Sequence, residues 1–172
     1  MTPPAQHCRA AVVAEALRWI GTPYHHQASC IHVGVDCIGL VRGVWRALNG
    51  REPAQLPGYG RDWSEATGRE TLLEAARRHF VEVAPDAAGA GDVIVFRYRQ
   101  QTVAKHVGIL SRPASADGDF GDDNEHAIRL GDRAARFSFI HAVERAPVAE
   151  VALTGWWRRR IAAAFRFPGM ID

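Results

Sequence analysis

Residues 92–110 read DVIVFRYRQQTVAKHVGIL. Two short runs rich in Val, Ile and Phe stand in this stretch, at 92–98 and 106–110, and two more follow at 137–143 (FSFIHAV) and 148–153 (VAEVAL). Such runs read as β-strands. The chain before residue 85 has a different period. Val12, Val13, Ala16, Leu17 and Ile20 recur at helical spacing, and Gly21 followed by Pro23 ends that helix. A second helix is predicted over 37–48, with Ile38, Val41, Val44, Trp45 and Leu48 as its buried stripe. Asp36 is its N-cap and Gly50 lies just past its end. A third is predicted over 69–80, with Leu72, Leu73 and Ala76 on one side; residues 51–67, with two prolines, read as a long loop. Helices first and consecutive strands afterwards predict an α+β fold, N-terminal helices packed on a mostly antiparallel sheet.

Outward from that pattern, composition narrows the options. A chain of 172 residues that is 47% hydrophobic is long enough to bury a core of its own, so residues 1–172 read as one domain. No apolar run approaches the roughly 18 residues of a membrane span. The first residues lack the basic start and apolar run of a signal peptide. A net charge of +2 is too weak to point to nucleic acid. Cys8, Cys30 and Cys37 allow at most one disulfide and contain no Cys-x-x-Cys.

Two segments stand apart. The middle of residues 111–136 holds Asp117, Asp119, Asp122, Asp123 and Glu125 with no Lys or Arg between Asp117 and Glu125, which predicts a solvated acidic insertion. Clustered carboxylates raise the thought of calcium, but their spacing is not that of an EF-hand loop. Residues 154–172 are rich in Trp and Arg, with Trp156-Trp157-Arg158-Arg159-Arg160-Ile161 at their start. They read either as a terminal helix packed on the sheet or as a docking surface for another protein.

The chemistry centres on Asp36-Cys37-Ile38-Gly39-Leu40, which puts a cysteine in the first turn of a helix. Unpaired amides and the helix dipole there favour the thiolate, the form that attacks carbonyl carbon. Neither Cys8 nor Cys30 has that setting. A cysteine nucleophile needs a base, and the base needs an orienting partner. His106 and His141 lie on successive predicted strands, where neighbouring antiparallel pairing brings side chains into reach. His25, His26, Cys30 and His32 carry ligand types suited to zinc, but their spacing fits no standard site, and neither metal nor cofactor is expected. Gly-x-Ser-x-Gly, His-Glu-x-x-His and phosphate-loop signatures are missing.

Five motifs occur in order: Gly21-Thr22-Pro23-Tyr24, Asp36-Cys37-Ile38-Gly39-Leu40-Val41, Gly91-Asp92-Val93-Ile94, His106-Val107-Gly108-Ile109 and Ile140-His141-Ala142. Together they make the chain resemble the NlpC/P60 family of papain-like cysteine peptidases, which cut peptidoglycan stem peptides. The resemblance spans residues 9–153. It implies Cys37 as nucleophile, His106 as general base and then acid, and His141 as the group orienting His106. Tyr24 would help form the oxyanion hole or substrate pocket. Asp36 would either meet a substrate amine or serve as a plain N-cap. The family's usual Ser after the cysteine is Ile38 here, and the acidic insertion departs from the compact family form.

A narrower likeness, in residues 24–29, 39–46 and 156–161, is to NlpC/P60 peptidases carried in the tails of phages and phage-like gene transfer agents. It implies tail tip or hub proteins as partners and the tail of a phage-like particle as the location, where a wall hydrolase needs no secretion signal. The competing reading is a structural docking module that keeps the fold with little or no catalysis. An acyltransferase or amidase on the same scaffold is a third.

Overall fold

Apolar periodicity, turn glycines and strand pairing build the chain into three N-terminal helices laid on one face of a sheet. The computed structural model describes residues 6–53, 59–60, 68–112, 129–131 and 136–171. In chain order the elements are β1 (His7–Cys8), α1 (Arg9–Leu17), β2 (Ser29–Cys30), β3 (Gly34–Val35), α2 (Cys37–Asn49) and α3 (Thr71–His79). They continue with β4 (Val81–Val83), a 3₁₀ turn (Pro85–Ala87), β5 (Val93–Phe96), β6 (His106–Ser111) and β7 (Ser138–His141). The last are β8 (Ala149–Ala152), α4 (Gly155–Arg158), β9 (Ile161–Arg166) and β10 (Met170–Ile171). Among the described residues no helix is long and apolar enough to cross a membrane.

The main sheet has six strands in the order β4-β9-β5-β6-β7-β8, and every neighbouring pair is antiparallel. The α+β expectation is met. Residues of β5 alternate between the two faces. Val93 and Val95 pack with Val12, Leu40, Val44 and Trp45 under the helices. Ile94 and Phe96 pack with Leu110, Phe139, Leu153 and Ala164 on the other side. Burial on both faces explains why this strand reads as an unbroken apolar run.

Three departures from the sequence reading have physical causes. The first helix stops at Leu17, and the chain tightens into three-residue turns: the N–H groups of Arg18, Trp19 and Ile20 donate to the carbonyls of Glu15, Ala16 and Leu17. Residues 154–172 hold only a four-residue helix, and the Ala-rich run after it is strand β9, not part of a terminal helix. Alanine favours helix locally, but β9 lies between β4 and β5, where the small side chains of Ala163 and Ala164 are buried. Strand β4 was not expected; its three residues have β9 as their partner. The acidic run 117–125 and the calcium reading attached to it lie outside the described residues.

One buried ion cluster ties the halves together. Asp92, fully buried at the entry to β5, accepts from Arg9 of α1 at 3.0 Å, from Arg166 of β9 at 3.0 and 3.1 Å, and from the Gly89 N–H at 2.9 Å.

Candidate active site

The start of α2 is built by Asp36. Its Oδ1 accepts the Gly39 N–H at 2.7 Å, which is the helix N-cap. Its Oδ2 accepts both the Gln27 N–H and the Tyr59 hydroxyl, each at 2.7 Å. With 2% of its surface exposed and three donors engaged, this carboxylate is a structural hub. Of the two expected roles for Asp36, the structure displays the N-cap. Gly39 is required by crowding, since a Cβ there would sit 1.9 Å from the Ala28 carbonyl oxygen. The loop 24–35 is thereby pressed onto the helix start, with Tyr24 bridged to Val35.

Cys37 is the first residue of α2 and is half-buried. Backbone N–H groups of the helix start and of Val107, the residue after His106, lie near enough to its sulfur to favour the thiolate. His106 opens β6, and its Nε2 lies 2.9 Å from Nδ1 of His141 on β7. The register pairs Ile109 with Ile140, which makes His106 and His141 diagonal neighbours on one face. Gly108 lies between them because a Cβ there would come within 2.7 Å of the Phe139 ring and 3.3 Å of the His141 Cβ. Tyr24, His26, Asp36, Cys37, Tyr59, Tyr98, Lys105, His106 and Glu144 line one cleft beside the cysteine. Cys37 and His106 therefore share the cleft, from a helix start and a strand start, and His141 stands behind His106 through its hydrogen bond.

The electrostatics differ from the sequence expectation of an ionised sulfur. Burial pushes the Cys37 thiol up from its usual 9.0 to about 12, and the Asp36 charge adds to the rise. Amides of Val107, Ile38 and Cys37 pull the other way, as a helix N-terminus should, and lose. Burial pushes His106 down to about 3, with repulsion from His141 adding, and burial alone pushes His141 down to about 4. The resting site is a neutral thiol beside two neutral imidazoles.

The NlpC/P60 family pattern matches residues 21–161. The chain belongs to the NlpC/P60 family. Among solved structures, this NlpC/P60 chain is similar to the NlpC/p60 domain of the peptidoglycan hydrolase SagA, with 22% identity and a TM-score of 0.53 over 92% of this chain and 98% of that one. It is similar to Ly7917 with 10% identity and a TM-score of 0.53 over 95% of this chain and 63% of that one. A protein of the NLP/P60 family described as similar to lipoprotein, from Staphylococcus aureus, matches at 21% identity and a TM-score of 0.49 over 100% of this chain and 45% of its own. No curated protein matches. At these identities the likeness is one of fold.

Sequence reading missed three contributors. Trp157 packs 5.6 Å from both the His106 and the His141 rings, 5.0 Å from Phe96 and 5.0 Å from Phe139. It forms the apolar back wall of the histidine pair. Tyr98 stacks 5.8 Å from His106 on the cleft side. Tyr59 reaches Asp36, and its own carbonyl accepts from the Gln27 side chain at 2.6 Å and lies 3.0 Å from His26 Nε2. The doubled aromatic at 156–157 was the one visible signal, and it was read as a helix face or docking surface. Of the arginines beside it, Arg159 is exposed, and Arg158 and Arg160 are half-buried and bonded to backbone carbonyls. Arg158 donates to the carbonyls of Leu153 and Leu130, and Arg160 to those of Tyr98 and Trp156. Among His25, His26, Cys30 and His32, His26 packs against Tyr59 and lies 3.7 Å from Asp36, whereas Cys30 is exposed.

Proposed function

We propose that this NlpC/P60 domain is a cysteine peptidase that hydrolyses a peptide bond in peptidoglycan stem peptides, on the carboxyl side of the D-glutamyl residue. The observation that carries the reading is His106, hydrogen-bonded to His141, on the cleft that also holds Cys37 at a helix start. The name of the structurally similar SagA domain, a peptidoglycan hydrolase, supports the substrate class.

The mechanism follows from the neutral resting state. As the sulfur attacks the scissile carbonyl, its proton passes to His106, so charge separates only along the reaction path. His141 holds the ring and shares the charge that develops on it. The Cys37 N–H and Tyr24 face the growing oxyanion; one such donor is worth about 2.7–4 kcal/mol in the transition state. His106 then gives its proton to the leaving amine as the C–N bond breaks, leaving an acyl group on Cys37. Water attacks that thioester, giving its proton to His106, and the proton returns to sulfur as the new carboxylic acid departs.

The setting we propose is the tail of a phage-like particle, with tail tip or hub proteins as partners and the recipient wall as target. Residues 24–29, 39–46 and 156–161 support it by their likeness to tail peptidases. The experiment is digestion of purified sacculi with mass analysis of the fragments. Wild type releases muropeptides with a new free carboxylate, and Cys37→Ala releases none while keeping its circular dichroism spectrum. Equal release by both proteins overturns the role of Cys37. No release by wild type, together with assembly into tails by both proteins, favours the docking module.

A further inference from the structure

The chain has 21 basic side chains, and 20 of them are arginine; the one lysine, Lys105, directly precedes His106. Among the described residues lining the cleft, Lys105 is the only Lys or Arg. Its place is set by the connection between β5 and β6, whose last pair is Phe96 with His106. That connection is pinned at several points. The Lys105 N–H donates to the Phe96 carbonyl at 3.2 Å, the Ala104 N–H to Glu70 at 3.0 Å, the Arg97 N–H to the Arg160 carbonyl at 2.8 Å, and Arg160 Nε to the Tyr98 carbonyl at 3.0 Å. The Lys105 ammonium lies 5.8 Å from the centre of the Tyr98 ring, the ring that covers His106. A half-buried cation is thus held on a rigid rim beside the reacting groups.

We propose that Lys105 is a specificity-determining residue that takes a carboxylate of the bound stem peptide. The inference rests on the peptidase reading of this cleft. A compact ammonium with three donors keeps capacity for a substrate oxygen while holding a partner of its own, which a flat guanidinium fork does less readily. The carboxylate of Asp36 is engaged three times over, so a substrate of matched charge finds its cationic complement at Lys105. A charge-assisted contact of this kind is worth roughly tenfold or more in kcat/KM.

Because Lys105 is the chain's only lysine, reductive ¹³C-methylation labels one side chain besides the α-amino group and keeps its charge. The label is placed on the Cys37→Ala protein and titrated with a synthetic stem peptide, either as the free acid or with its D-glutamyl carboxylate converted to the primary amide. The expected result is a saturable shift of the Lys105 methyl signal with the acid and a shift at least tenfold weaker in apparent affinity with the amide. An unmoved Lys105 signal, or equal affinity for both peptides, overturns the proposal. This readout needs no turnover, so it stands apart from failure of the peptidase reading, which shows as intact sacculi with wild type. In an active enzyme, Lys105→Met lowers kcat/KM on the acid about tenfold and abolishes the preference over the amide, and Lys105→Arg restores part of it. Full preference in Lys105→Met also refutes it.

Discussion

Alkylation of Cys37 tests the neutral resting state directly. The thiol is raised from 9.0 to about 12, so its thiolate fraction at neutral pH is about 1,000-fold below that of an unperturbed cysteine. Cys8 and Cys30 are exposed and free, so they are first replaced by serine to leave a single reacting sulfur. Iodoacetamide then modifies Cys37 at a rate that climbs about tenfold per pH unit between about pH 6 and 10, with no plateau. Asp36→Asn separates the two causes. It removes the charge beside the sulfur while keeping an acceptor for the Gly39 N–H, and speeds alkylation about tenfold at fixed pH, the lower end for an adjacent like charge. Burial, the larger cause, stays in place. A rate that levels off above about pH 6 means that sulfur and His106 already form an ion pair, and that result refutes the reasoning.

Other outcomes follow from the same structure. His106 and His141 are held below their unfolded value near 6.5, so the unfolded chain binds protons that the native state refuses, and stability falls as pH drops below about 6.5. Between pH 7.5 and 5 each histidine contributes a loss of about 2 kcal/mol, readable by urea unfolding, and His141→Asn removes about half of the fall. Asp92→Asn removes the buried charge that Arg9, 1% exposed, and Arg166 share, and costs about 3–5 kcal/mol; a change under 1 kcal/mol contradicts the cluster's role. Trp157→Ala opens the back wall of the histidine pair, costing about 3 kcal/mol of stability. It also moves the acid limb of the activity profile up toward 6.5 as water reaches both rings, whereas Trp157→Phe keeps the wild-type limb.

Much of the fold was legible because its signals are local. The apolar stripe of α2, Asp36 at its cap and the unbroken apolar runs of β5 and β6 each report their own surroundings within a few residues. The candidate site was legible for a related reason. A cysteine after a capping aspartate and two histidines on successive strands lie where helix starts and adjacent pairing bring side chains together. Tyr98 and Tyr59 carried no comparable mark, because their positions depend on a pinned connection and on a contact with Asp36 across 23 positions of chain.

By itself the amino-acid sequence determined the order of helices first and consecutive strands afterwards, the capped helix that presents Cys37, and the strands that carry His106 and His141. Only the tertiary structure decided that the Ala-rich run after residue 160 is a strand inside the sheet, that Trp157 backs the histidines, and that the sulfur rests protonated. The physical reason is range. Capping and periodicity act between residues a few positions apart, whereas desolvation and sheet insertion are set by everything that folds around a group, wherever it lies in the chain.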